Sequence, residues 1–425
     1  MPYVGELIWK SYIKRNIQIF LKKNMVSFMK SFQIARVALL LTAFAGAVTF
    51  ALAQAQAPAP VYIGIDEAYG IQSSTTPRAI QRGVEAAIEE INARGGVLGG
   101  RPLKILTTDN QSVSARGRDN FIELAGKPGL IAVLTGKYSP VTVETAPEAD
   151  RLRVPLVSVW GAADQITDRL ANPSYVFRLS LKDSWGVEAM VRRAKTSRKA
   201  TRVCALLPNT AWGRSGEHVL VATAPAEGMR LVDTRWYNWG DQDYLPHLKS
   251  CMAAGGQALI LVANEREGAL VITQLATLPK SQRLPIIAHW GITGGVIHEL
   301  AAGAIDEVDM QVIQTFTFIN NPRPAARRLA AWIMKDAGLK SVDQIQSPPG
   351  SAHAYDMTHL LALAVNKARS TDGDAIRRAL ESLPEFDGAV RRYDPAFTPK
   401  RHDALGPNQV LFVRIDRSGA LLPVK

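Results

Sequence analysis

The signatures of covalent and phosphoryl chemistry are missing from this sequence. No G-x-S-x-G occurs, because the nearest stretch, GRSGE at 213–217, lacks the last glycine of a nucleophile elbow. There is no G-x-x-x-x-G-K-[ST] to cradle phosphates and no H-E-x-x-H to hold zinc. Long apolar runs are scarce as well. The longest, VALLLTAFAGAVTF at 37–50, falls short of the roughly 20 residues a spanning helix needs. No stretch joins a basic run to interleaved aromatics, so nucleic-acid binding has little support. Cysteine is limited to Cys204 and Cys251. An exported chain could pair them; two separate buried thiols is the reading preferred from sequence.

What is present is globular. The chain has 425 residues, 47% of them hydrophobic and 21% charged, enough for two or three domains with real cores. Its first 57 residues differ from the rest. Lys30 and Arg36 precede the apolar run, and the small-residue stretch ALAQAQAPAP follows it. That order marks a secretory signal peptide, cut after Ala53 or Ala55, with an uncleaved anchor as the rival. Met29 would begin a leader of ordinary length. The leader carries seven Lys or Arg against one acid, Glu6, so its loss takes the net charge from +12 to +6. A mildly positive surface of that kind suits an anionic ligand.

From Val61 onward, strand and helix patterns alternate. VYIGI is a short apolar strand, and TTPRAIQRGVEAAIEEINA places Ile80, Val84, Ala87, Ile88 and Ile91 on one helical stripe, with Thr76 as cap or first helical residue. Gly95 and Gly96 stop the helix; Gly99, Gly100 and Pro102 turn the chain into LKILTTD. The same rhythm runs to PLVSVWG, then resumes after YVFRLSLKDSWG. The expected fold is α/β, with two doubly wound parallel-sheet lobes.

Ligands in such sheets sit beyond the carboxyl ends of the strands. The residues at those exits are Asp66, Glu67 and Tyr69; Lys137, Tyr138 and Ser139; Trp160, Gly161 and Ala162; Asn209 and Trp212; Asn264 and Glu265; His289 and Trp290. Three of the eight tryptophans fall there, which favours an aromatic-walled cleft over separate rim packing. Ser139 opens a helix, where hydroxyl and backbone N–H groups suit a carboxylate; a plain N-cap serine is the equal alternative. His353, Asp356 and His359 have a spacing a metal could use, but Tyr355, Leu360 and Leu361 mark a packed helix, the preferred reading.

Taken together, the apolar VYIGI strand, EEINARGGVLGGRPLKI, the T-G-x-x-S exit from Thr135 to Ser139 and RVPLVSVWGAAD resemble the periplasmic solute-binding proteins of branched-chain amino-acid ABC importers, a type I binding-protein family. The resemblance runs from Val61 to the C-terminus. It implies three hinge crossings, near Ser180, Gln314 and Gly388, and therefore a leader at 1–57, one lobe at 58–180 plus 314–388 and the other at 181–313 plus 389–425. The implied ligand site comprises Tyr69, Tyr138, Ser139, Trp160, Gly161, Ala162, Trp212, Asn264, Glu265 and Trp290. Within it Ser139 and the backbone near Trp160, Gly161 and Ala162 would take a carboxylate, and Trp212 would cap the ligand.

Two positions depart from the family pattern. Ala162 stands where a hydroxyl usually meets the ligand's ammonium, and Trp290 where an acid usually does; Glu67, Glu265 or Glu267 are the candidates to substitute. The expected ligand is a carboxylate with an apolar or aromatic part rather than leucine. The other expectations are a periplasmic monomer that delivers its ligand to an inner-membrane permease, with no cofactor, metal or catalysis. A sensor of the same fold is the alternative. A hydrolase recruiting Ser139, Lys137 and His289 is the least supported.

Overall fold

The structure, a computed structural model, describes residues 9–10, 12–25, 29, 33, 36, 58–169 and 171–424. The apolar run 37–50 and the expected cleavage sites lie outside the described residues. Two units are distinguished, Met1–Pro58 and Ala59–Lys425. The described residues up to 36 are helical. No helix among the described residues is long and apolar enough to cross a membrane.

The second unit begins with β1 (Val61–Glu67), α1 (Thr76–Ala93), β2 (Leu103–Asp109), α2 (Ser114–Ala125), β3 (Leu130–Thr135), α3 (Ser139–Leu152), β4 (Leu156–Ser158) and β5 (Val176–Arg178). These five strands form one sheet in the order β2-β1-β3-β4-β5, parallel throughout. Its central strands are continuously apolar because helices cover both faces. Val61, Ile63 and Ile65 pack with Ile80, Val84 and Ala87 of α1.

The return after α1 needs its glycines. Gly95, Gly96, Gly99 and Gly100 have φ of 96°, 73°, 75° and 123°, a region that costs glycine little and other residues more. Thr76 proves to be the first helical residue. Its hydroxyl donates to the Gly294 carbonyl at 3.0 Å instead of capping its own helix.

A second series follows: α4 (Asp183–Arg198), β6 (Arg202–Pro208), α5 (Ala211–Ala226), β7 (Arg230–Tyr237), α6 (Leu245–Ala253), β8 (Ala258–Leu261), α7 (Glu265–Ala276), β9 (Ile286–Ala288) and β10 (Met310–Gln314). After it come α8 (Pro324–Ala337), α9 (Pro348–Ala368), α10 (Gly373–Leu380), the short pair β11 (Phe386–Asp387) and β12 (Arg392–Tyr393), then β13 (Leu411–Ile415) and β14 (Leu421–Val424). The second sheet has the order β14-β13-β10-β9-β8-β6-β7. β13 runs antiparallel to β10 and pairs with β14 as a hairpin.

One sequence expectation gives way. Cys204 on β6 and Cys251 on α6 are joined as a disulfide with Cα atoms 5.8 Å apart, so the separate-thiol reading is replaced. Residues 402–404 run beside β5: Arg178 N–H donates to the His402 carbonyl at 2.8 Å, and Ala404 N–H to that of Arg178 at 2.9 Å. Phe177 stacks on His402 with ring centroids 4.0 Å apart. An apolar strand edge needing cover holds this segment on the first sheet.

The His353, Asp356 and His359 side chains on α9 serve packing. His353 bridges the Val159 carbonyl at 2.8 Å and the Thr315 hydroxyl at 2.9 Å. Asp356 accepts from Ala389 and Val390 N–H and from the Tyr393 hydroxyl. Among the described residues no cluster could hold a metal ion.

Candidate functional site

The carboxyl ends of β3 and β4 face those of β6, β8 and β9. Between them lies a small cavity lined by Lys137, Ser139, Trp160, Ala162, Trp212, Asn264, His289, Trp290 and Gly291. Ligand pockets usually measure about 300–1,000 Å³, whereas this cavity, at about 10 Å³, has room for about one water, so a guest enters only if the loops around it part. Six of the expected site residues meet here, drawn from both sheets. Trp160, Trp212 and Trp290 are almost wholly buried. Trp212 meets the His289 ring edge-on at 5.0 Å, and His289 lies 4.3 Å from the Trp290 ring. A Cβ on Gly291 would sit 2.5 Å from the Trp212 ring and 2.7 Å from the Ala263 carbonyl; the absent side chain lets the indole into the wall.

Ser139 is the first residue of α3, and Tyr138 holds the N-cap position, so the plain-cap alternative does not describe it. Its Oγ accepts from Ala162 N–H at 3.1 Å and Ala163 N–H at 3.3 Å. A hydroxyl has one donor and two acceptor sites, so its proton remains for a partner in the cavity.

The loop after β4 is held from behind by Arg178. That guanidinium, with no exposure, donates to the Ala162 and Ala163 carbonyls at 3.0 and 2.9 Å and to Asp403 at 2.6 Å. It also donates to the Thr167 hydroxyl. The Ala162 carbonyl shares a peptide plane with the Ala163 N–H, so turning it back toward Arg178 aims that N–H at Ser139; the Ala162 N–H is aimed instead by the Gly161 carbonyl of its own peptide.

The remaining expected residues stand behind the lining. The Gly161 carbonyl is taken by the Ser158 and Ser180 hydroxyls at 3.1 and 3.2 Å. Tyr138 packs its ring edge against Trp239 at 5.4 Å. The Tyr69 hydroxyl is buried without a hydrogen-bond partner among the described residues. Glu265 is engaged: one carboxylate oxygen takes the Lys137 ammonium and the other the Ser73 hydroxyl at 3.0 Å.

Further contacts join the loops of the two sheets. Thr75 N–H donates to the Gly294 carbonyl at 3.0 Å, and Val296 N–H to that of Ser73 at 3.1 Å. His289 Nδ1 accepts from Gly291 N–H at 3.3 Å. That leaves Nε2 facing Asp183, the buried first residue of α4, at 3.1 Å. This separation passes as an ion-pair distance, although its angles do not meet hydrogen-bond geometry.

Lys137 and His289 were legible as strand-exit residues, but nothing in the sequence promoted them into the site. Gly291 carried no signal. Arg178, a charge inside the apolar run YVFRLS, was the one unread clue, since a cation in a buried strand needs partners.

Glu67, at the exit of β1, is fully buried. Loss of water pushes its carboxyl up to about 8, and the Asp66 charge adds to the rise. The Ala68 and Lys137 N–H groups and the Lys137 charge oppose it. Folding therefore raises this group above its ordinary 4.5. Its stabilising contribution is complete below that value and is lost as pH climbs through about 8. Glu67→Gln should flatten the fall in unfolding stability between about pH 5 and pH 8 relative to the parent chain. Denaturant titrations across that range check this, and equal slopes would count against it.

Comparison with known proteins is consistent with this geometry. The family profile described as "Periplasmic binding protein" matches residues 65–420. A protein of Brucella melitensis biotype 1 named Leu/Ile/Val-binding protein homolog 3 is 25% identical over 367 residues, covering 82% of this chain and 89% of its own length. Among solved structures, a branched-chain amino acid transporter substrate-binding protein from Streptococcus pneumoniae in complex with isoleucine superposes with a TM-score of 0.73. It is 18% identical, covering 86% of this chain and 99% of that one. An ABC transporter solute-binding protein from Rhodopseudomonas palustris BisB5, in complex with 3,4-dihydroxybenzoic acid, gives a TM-score of 0.70 at 16% identity, covering 86% and 96%.

Proposed function

The chain belongs to the periplasmic binding protein family, and on that premise we propose that it is the extracytoplasmic solute-binding component of an ABC importer. Its leader is a signal peptide that delivers it to the periplasm, where it works as a monomer and hands its ligand to an inner-membrane permease. The two lobes, one on each sheet, close on a compact carboxylate with an apolar or aromatic part. The hydroxyl of Ser139, fixed by the 162–163 N–H groups, donates to the ligand's carboxylate, and Trp160, Trp212 and Trp290 enclose its apolar portion. Relatives of this fold hold both kinds of guest, isoleucine in one and 3,4-dihydroxybenzoic acid in another.

One observation carries the choice between them: three indoles and a hydroxyl line the cavity, and no carboxylate does. An ammonium buried without an acceptor of opposite charge costs several kcal/mol. Catalysis finds no support in the same residues. Lys137 is held by Glu265, and His289 accepts Gly291 N–H at Nδ1 with Nε2 facing Asp183 at 3.1 Å, so neither is presented to Ser139 as a base.

Calorimetric titration with amino acids and with aromatic and short-chain carboxylates tests this reading. An acid from the panel should bind well and leucine poorly. Ser139→Ala should weaken the acid by about tenfold to a hundredfold, the worth of one hydrogen bond to a charged group. Tight leucine binding with weak binding of every acid would overturn the proposal.

A further inference from the structure

The Lys137 side chain is only 1% exposed. A buried ammonium has three N–H donors to satisfy, and this one has three acceptors around it: a carboxylate oxygen of Glu265, the Gly294 carbonyl at 3.2 Å and the Ser74 hydroxyl at 3.3 Å. Glu265, the first residue of α7, and Gly294 lie at strand exits of the second sheet, Ser74 and Lys137 in loops of the first. The cluster is a complete cation site at the cavity's edge, filled from within the chain. An α-amino acid carries its ammonium and carboxylate on one carbon. A ligand whose carboxylate reached Ser139, two residues from Lys137, would bring its ammonium up against this occupied cluster.

The other nearby acids offer no replacement. Glu67 is protonated at neutral pH because burial lifts its carboxyl to about 8, and burial raises Glu267 in the same direction.

We infer that Lys137 is a tethered ammonium occupying the cation site of the cleft, and that by doing so it excludes ligands bearing an ammonium and admits carboxylates that lack one. This rests on the reading that the cleft takes a small carboxylate, and it names the residue that sets the class. Lys137 neither reacts nor contacts the guest's carboxylate; all its donors are committed, and its role is to satisfy Glu265 so that the guest need not.

The test truncates the side chain and offers the missing cation separately. In Lys137→Ala, ethylammonium should fill the vacated volume and raise the melting temperature by a few degrees, since a ligand bound only by the folded chain stabilises it. The parent chain should show no such rise, and Lys137→Ala/Glu265→Gln should lose it. Leucine should bind Lys137→Ala at least tenfold more tightly than the parent. Should Lys137→Ala not fold, Lys137→Gln, which keeps most of the volume without the charge, takes its place in the leucine titration. The inference falls if ethylammonium acts alike on parent and variant, or if leucine gains nothing. Failure of the parent chain to bind 4-hydroxybenzoate or any other acid would instead remove the proposed ligand class. The ethylammonium result would still decide the role of Lys137.

Discussion

Glu265→Ala should weaken ligand capture about a hundredfold or more while leaving unfolding stability within about 1 kcal/mol of the parent chain. The two readouts separate because of where the ion pair sits. Lys137 and Glu265 are 1% and 2% exposed, but they come from the strand exits of different sheets. Taking away one member of a buried pair costs about 3–5 kcal/mol when the other must stay buried. Here it need not: if the lobes part, the Lys137 ammonium regains water. The penalty then falls on closure, not on the cores of the lobes, and closure is the step that binding draws on. Three kcal/mol corresponds to rather more than a hundredfold in affinity. Calorimetry with the best-binding acid, set beside urea unfolding of the free protein, measures both quantities. Unchanged affinity would show that the pair has no part in closure. A stability loss of the full 3–5 kcal/mol would show that the lobes do not part.

The fold was legible because its signals are local. Apolar runs such as VYIGI, the stripe from Ile80 to Ile91 and the glycine-rich return after Ala93 each depend on neighbours within one turn or one pleat, and the βα alternation follows from them. The candidate site was legible by position, since strand exits can be counted. Six of the ten expected residues line one cavity. Long-range pairings were hidden. Glu265 reads as a strand-exit acid free for a ligand's ammonium until a lysine 128 residues away is seen to take it. Arg178 and Asp403 are separated by 225 residues, and no periodicity links them. The disulfide likewise turned on Cα atoms approaching to 5.8 Å, a fact of tertiary packing alone. Residues 402–404 likewise look like coil, yet they run beside β5 at the edge of the first sheet.

Arg178→Met should destabilise the protein by about 3–5 kcal/mol, a large share of the 5–15 kcal/mol that usually separates folded from unfolded chains. Methionine nearly fills the volume, so little of the loss comes from packing. It comes from the acceptors left behind. Asp403 keeps only the Thr167 hydroxyl, at 3.1 Å from both oxygens. The Ala162 and Ala163 carbonyls lose the guanidinium donor but retain Asp183 N–H at 2.8 Å and Ile166 N–H at 3.1 Å. A buried carboxylate stripped of its cation is the expensive part. Unlike the pair at Lys137, this one lies within a single sheet's surroundings, joining β5 to the segment beside it, so parting of the lobes cannot relieve it. The same substitution frees the loop after β4, whose N–H groups hold Ser139. Affinity for the acid should therefore fall along with stability, the reverse of the pattern expected for Glu265→Ala. Arg178→Lys keeps a cation for Asp403 but cannot reach four acceptors at once, and should lie between the two. Urea unfolding and calorimetry on both variants check the ordering. A loss below about 1 kcal/mol for Arg178→Met would mean that water replaces the guanidinium, and that the Ala163 N–H does not need it to point at Ser139.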